Sequence, residues 1–230
     1  MNKILVIGGD LWHPLEIIKK GFQGITGLKA ELEFIEDAKD SLTVEKLSQY
    51  PLIINCKGNT LTSGNPAPWF EESVTEVGPE ELSAYVENGG SFLAIHAANS
   101  FHENQVEQQP RFLKPCEQYI DLIGNRFLSH PLRCMVSAKN INSDHPIMRD
   151  VQEFSARDEH YQIELLSDDV ELLFETCSDT GKPMPGGYTK RLGKGKICVL
   201  MPGHTLSVWE NKEFQKIVLH AVEWCMQSRG

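Results

Sequence analysis

The chain has 230 residues, of which 40% are hydrophobic and 23% charged, with a formal net charge of −10. That balance suits one globular domain spanning 1–230 with a full core. The acidic excess, without any long Lys/Arg cluster, argues against nucleic acid or a membrane surface as a partner. A small, neutral or weakly charged molecule fits better. The six cysteines, at 56, 116, 134, 177, 198 and 225, form no C-x-x-C pair. Buried thiols in a reduced, cytoplasmic protein are expected. The apolar run Ile4–Ile7 is too short for a signal peptide, and no run reaches membrane-spanning length.

Ile4–Ile7 reads as a first buried strand that ends in the turn Gly8-Gly9-Asp10. The spacing is not G-x-G-x-x-G, so no nucleotide cofactor is expected. His13-Pro14 opens a helix running to about Gly24. His13 reads as a solvated or capping residue whose place beyond the strand also allows it to face a pocket. Ala30–Glu36 alternates as a second strand, Leu42–Tyr50 gives a short helix capped by Ser41 or Thr43, and Pro51–Cys56 is a third buried strand. The long aperiodic stretch Lys57–Gly78 reads as a lid or wall, with Trp69 and Phe70 as pocket-lining or packing aromatics.

Pro79–Asn88 has a proline and two acidic residues in its first turn and a glycine stop at Gly89, which predicts a helix. Phe92–Ile95 follows as a fourth strand, too short and too apolar for a surface helix, and His96 stands at its carboxyl end. The order β-α-β-α-β-loop-α-β predicts a parallel, doubly wound α/β sheet, whose ligands bind outside the carboxyl ends of its strands. Beyond a polar loop the pattern predicts a helix over about 110–123, a strand near 132–137, and a stretch 154–166 with alternating Tyr161, Ile163 and Leu165. A strand at 170–177, a hairpin through Leu192-Gly193-Lys194-Gly195 and a terminal amphipathic helix complete the chain.

Two histidines, His96 and His204, each follow an apolar strand directly and have small neighbours. Strand ends in one sheet converge, so these two are candidates for a shared site. Asp158-Glu159-His160-Tyr161 adds carboxylates, an imidazole and a phenol. Alternation places Glu159 with Tyr161 on one face and Asp158 with His160 on the other, so one pair alone meets a given pocket. Capping of strands and bonding of loops is the competing account of all these residues. His145 reads as a turn residue, His220 as packed on the last helix, and His102 as a loop residue.

The chain resembles the ThuA-like (trehalose utilisation) family. The resemblance is carried by Gly89-Gly90 with Leu93–Ala98, Tyr119–Phe127 with Ser129-His130-Pro131, His145-Pro146-Ile147 and Asp158–Tyr161. Gly193–Lys196 with Pro202-Gly203-His204, and His220–Trp224, complete it. It implies the flavodoxin-like, three-layer α/β/α fold of class I glutamine amidotransferases, mostly parallel, with added antiparallel strands in the C-terminal half. It also implies a role with trehalose or related keto sugars. In amidotransferases the strand matching Phe92–Ile95 delivers a cysteine nucleophile on a strained turn. This chain has His96 there, and an imidazole cannot do a thiolate's acyl transfer, so glutamine hydrolysis is not expected. Cys56 follows another strand but has no histidine beside it in sequence.

His96, His204 and Glu159 make a ligand set for a divalent metal, zinc foremost, with positions left open for substrate. The same three residues could work without metal as an acid–base group, Glu159 or His96 being the base and Tyr161 orienting the substrate. Asn99, His130, Asp158, Tyr161 and Trp69 are the expected substrate contacts. A sugar-derived small molecule is the expected partner, with a homo-oligomer a reasonable assembly. A non-catalytic sugar-binding or regulatory module, supported by Lys57, Asn59, Trp69 and Asn99, is the alternative to an enzyme.

Overall fold

The computed structural model describes residues 3–10, 12–36, 42–58, 78–101 and 116–227. Strand β1 (Lys3–Ile7) is wholly apolar after its first residue, and Ile4 to Ile7 are fully buried, as a strand covered on both faces must be. Helix α1 (Leu15–Gln23) returns the chain to β2 (Glu31–Ile35), and α2 (Val44–Leu47) leads to β3 (Leu52–Asn55). Thr43 caps α2 by accepting from the Lys46 amide. Helix α3 (Pro79–Glu87) precedes β4 (Ser91–Ile95), which runs straight into a single 3-10 turn over His96–Asn99.

The second half begins with α4 (Glu117–Ile123), β5 (Asn125–Ser129), β6 (Cys134–Asn140), β7 (Phe154–Asp158) and β8 (Gln162–Leu165). It closes with β9 (Glu171–Ser178), β10 (Gly181–Leu192), β11 (Gly195–Leu200), α5 (Leu206–Trp209) and α6 (Lys212–Met226). Nine strands form one sheet in the order β2-β1-β3-β4-β11-β10-β9-β6-β7, and β5 pairs with β8 in a separate antiparallel pair. The first five strands in that row are parallel, with the 2-1-3-4-5 order of flavodoxin-like sheets. From β11 outward every pairing is antiparallel.

Two apolar clusters cover the two faces. Ile18 and Phe22 of α1, Val208 and Trp209 of α5, and Phe214 to Cys225 of α6 pack on one side. Leu47, Leu82, Tyr85, Tyr119 and Leu122 from α2, α3 and α4 pack on the other. The expected three-layer α/β/α fold is therefore present. Three local expectations need correction. The stretch 154–166 is two strands in different sheets, because Glu159–Tyr161 leave the main sheet at the end of β7. Strand β5 went unread, since Asn125-Arg126-Phe127-Leu128-Ser129 is too mixed to alternate cleanly. The helix expected from about 110 begins at Glu117, and residues 110–115 lie outside the described residues.

Candidate metal centre at the strand ends

The carboxyl ends of β1, β4 and β11 lie on one edge of the sheet, with β3 between β1 and β4, and a histidine follows each. His13 follows β1, His96 follows β4 and His204 follows β11. Glu159 joins them from the end of β7. Its arrival has a clear cause. The buried Asp158 carboxylate accepts from the amides of Gly203 at 2.9 Å, His204 at 3.0 Å and Thr205 at 3.3 Å. Those bonds pin the chain leaving β7 to the turn after β11, and alternation then turns Glu159 and Tyr161 inward. His160 faces away, its Nδ1 2.7 Å from Ser178 Oγ.

Glu159 Oε2 lies 3.3 Å from His204 Nδ1 and 3.5 Å from His96 Nε2. His13 completes the group, with its ring centroid 5.1 Å from that of His96 and 4.9 Å from that of His204. One ligating atom from each of His13, His96, Glu159 and His204 falls within 4.8 Å of all the others. Metal–ligand bonds of about 2.0–2.1 Å at tetrahedral corners put ligand atoms about 3.3–3.4 Å apart. The two Glu159 separations already sit near that spacing, and the wider ones need a modest inward movement.

The orientation of the imidazoles is informative. His13 Nδ1 is 2.8 Å from the Asp10 carboxylate, and His96 Nδ1 is 2.8 Å from the Met201 carbonyl. Each of these acceptors fixes a proton on Nδ1 and leaves Nε2 as the atom facing the cluster. His13 Nε2, His96 Nε2 and His204 Nδ1 are all buried without a hydrogen-bond partner. Buried imidazole nitrogens with no hydrogen-bond partner, the His13 and His96 rings being held from behind by an acceptor, are the arrangement in which outer groups orient metal ligands. Asp10 is itself well supported, accepting also from the amides of Trp12, His13 and Gly58. Burial would raise its carboxyl, but the bond and charge of His13 and these amides hold it below its ordinary value.

Charge within the cluster is tightly shared. Burial disfavours the charged form of Glu159, yet His96, His204 and His130 outweigh it and bring the carboxyl down to about 2. Burial also opposes a charge on His96, but Glu159, Asp158 and the Met201 carbonyl raise it above its usual value. His204 falls to about 4, through burial first and then the neighbouring His96. His96 sits at φ +46°, left-handed for a residue with a side chain. It is a strained turn at the end of β4, as a nucleophile elbow would be, but it carries an imidazole. Cys56 beyond β3 is buried, and burial pushes its thiol well up, so it has no thiolate character.

Tyr161 covers His96, with ring centroids 4.3 Å apart, and His130 lies at the rim, its Nε2 3.7 Å from Glu159 Oε2. Two expected substrate contacts, Asp158 and Asn99, direct their polar atoms to the framework. Asp158 spends both oxygens on backbone amides. Asn99 donates to the Leu200 carbonyl and accepts from Asn125, and it is buried. Trp69 and Asn59 lie outside the described residues. Lys57 is buried and donates to the Glu36 carbonyl. His13 and Asp10 were the underweighted residues. Their signal was an Asp-x-x-His turn directly beyond a buried strand.

Known structures share this architecture. A ThuA-like protein from Bacteroides uniformis aligns over 97% of this chain and 91% of its own, with TM-score 0.71 and 18% identity. Another, from Parabacteroides merdae, aligns over 98% and 90%, with TM-score 0.70 and 17% identity. A glutamine amidotransferase from Thermotoga maritima aligns over 99% of both chains, with TM-score 0.60 and 11% identity. At such identities the likeness establishes the fold alone. No match is found among curated proteins. The family described as trehalose utilisation, ThuA, matches residues 3–225. With that match running from β1 to the end of α6, the chain belongs to the ThuA, or trehalose utilisation, family.

Proposed function

We propose that this protein is an enzyme of carbohydrate metabolism that acts on trehalose or a related sugar or keto sugar, using a divalent metal, zinc foremost. His13, His96, His204 and Glu159 would hold the ion. The observation that carries this reading is the set of three buried, unpartnered imidazole nitrogens converging on one carboxylate. A buried nitrogen with no hydrogen bond costs about 1–3 kcal/mol; Glu159 offsets part of that for His96 and His204, and a bound cation would offset the rest. A divalent ion held there with a coordination number above four would supply Lewis acidity toward a sugar carbonyl or hydroxyl.

The remaining roles fall to the chain itself. Tyr161 walls the site against water behind His96. His130, half-exposed beside Glu159, is placed to meet a substrate entering from solvent. Glutamine hydrolysis has no support, because the strand-end turn carries His96 and Cys56 is a buried thiol. A cytoplasmic location accords with six cysteines that form no disulfide. Among the described residues no helix is long and apolar enough to cross a membrane.

The test is metal analysis of the purified protein and of a His96→Ala/His204→Ala variant. One divalent ion per chain, lost in the variant, is the expected result. A metal-free protein that gains no thermal stability from added zinc, manganese or iron(II) would overturn the metal reading. Incubation with keto-disaccharides, followed by mass spectrometry, then separates chemistry from binding. Unchanged sugars bound with an affinity indifferent to metal would point to the non-catalytic module.

A further inference from the structure

Trp12 is 66% exposed, although it lies one residue from His13 and within the turn that Asp10 organises. Among the described residues the other tryptophans differ. Trp209 is buried in the core, and Trp224 is half-buried beneath the Lys196 ammonium. A large aromatic side chain in water forgoes the stabilisation that burial would give it.

The backbone beneath it is far from loose. One Asp10 oxygen accepts from the Trp12 amide at 2.9 Å, the His13 amide at 2.9 Å and His13 Nδ1 at 2.8 Å. The other accepts from Gly58 at 2.9 Å, and the Asp10 and His13 main chains bond each other in both directions. Consecutive Cα atoms are about 3.8 Å apart, so the indole springs from a backbone point fixed next to His13 of the candidate metal centre. The polar rim is made by other elements. His130 is 3.7 Å from Glu159, and the exposed Arg133 lies near enough for its charge to act on His204.

We infer that Trp12 is a sugar-binding platform: its indole stacks against the C–H face of a pyranose ring whose oxygens turn toward the metal centre. The chemistry matches on both sides. A pyranose has an apolar face of axial C–H groups and a rim of hydroxyls. Trp12 offers an exposed, flat electron-rich surface one residue from His13, a donor of the nitrogen and oxygen cluster. Because Asp10 already orders the turn, little entropy is lost when the ring docks. The assignment rests on the carbohydrate reading above and names the residue that selects the ring.

The test uses the zinc-loaded full-length protein and its Trp12→Ala and Trp12→Phe variants, titrated with trehalose and with methyl α-D-glucopyranoside by NMR. Truncation of a stacking tryptophan should weaken Kd by about tenfold or more, while phenylalanine keeps most of the affinity. Zinc content and Tm should match the wild type in both variants, which separates stacking from damage to the site. A Trp12→Ala Kd within twofold of the wild type overturns the platform and leaves the carbohydrate reading standing. A wild-type protein that holds zinc but binds neither sugar overturns the carbohydrate reading, and the platform with it.

Discussion

Asp10 accepts a hydrogen bond from His13 Nδ1 at 2.8 Å and thereby decides which nitrogen of that ring faces the cluster. The pair links the first strand of the sheet to the candidate metal centre, since Asp10 stands three residues beyond β1 and also holds Gly58 beyond β3. These two strands flank the point at which the strand order reverses, where open α/β sheets bind their ligands. An Asp10→Asn variant keeps the size of the side chain but loses the charge, and it can present an amide N–H to His13. Metal affinity should then fall about 10- to 100-fold. Competition with a chromophoric chelator measures it, and a variant that binds zinc as the wild type does would remove Asp10 from this role.

Gly203 offers a way to perturb His96 without touching it. It adopts φ +145°, and a Cβ there would lie 3.0 Å from the Cβ of His96 and 3.1 Å from Cγ2 of Ile95. Ile95 belongs to the tightly packed β4, and His96 already holds a left-handed conformation, so neither can give way cheaply. Gly203→Ala should cost about 1–3 kcal/mol of stability, from overpacking and from the unfavourable backbone angle. Metal affinity should fall with it, because the displaced group belongs to the candidate ligand set. Urea denaturation and metal titration of the same preparation check both effects.

The same turn explains a third expectation. Asp158 accepts three amides from Gly203 to Thr205 with both of its oxygens. Asn at this position would set an N–H group against one of those donors. A buried donor left unsatisfied costs about 1–3 kcal/mol. Asp158→Asn should therefore lower the urea midpoint with little change in m-value, and it should also weaken metal binding by releasing Glu159 and His204. Normal metal binding in a destabilised variant would show that these bonds hold the fold but not the cluster.

Much of this was legible in residue order. Buried strands announce themselves as short apolar runs, and β1, β3, β4 and β11 were all readable, together with the histidines at the ends of β4 and β11. The face of Glu159 and Tyr161 followed from alternation, though the choice between faces did not. That choice was made by Asp158, through bonds to residues more than forty positions away. Asn99 and Asp158, expected as substrate contacts, bond to the framework, which sequence could not show for one reason. A polar residue next to a site looks the same in sequence whether its atoms face a substrate or a backbone amide. His13 was underweighted because a histidine before proline at a helix start is so often a local cap. Only the neighbouring strand ends show that three imidazoles meet.

Helix α6 supplies a pH-dependent prediction remote from the cluster. Glu213, in its first turn, accepts from the Gln152 amide at 2.7 Å and pairs with Lys216 at 2.9 Å. Partial burial would raise its carboxyl, but the Gln152 amide and Lys216 prevail and hold it below 4.5. The sign follows from linkage. A carboxyl whose folded value lies below its unfolded value stabilises the fold above about pH 4.5, and that contribution disappears as pH falls through the folded value. Glu213→Gln should then cost about 1 kcal/mol at pH 7, where the wild type bears the charge, and progressively less toward pH 3 as the wild-type carboxyl takes up its proton. Urea denaturation of the metal-free proteins at the two pH values measures the difference. An equal loss at both would mean that Glu213 contributes through packing, with no part played by its charge.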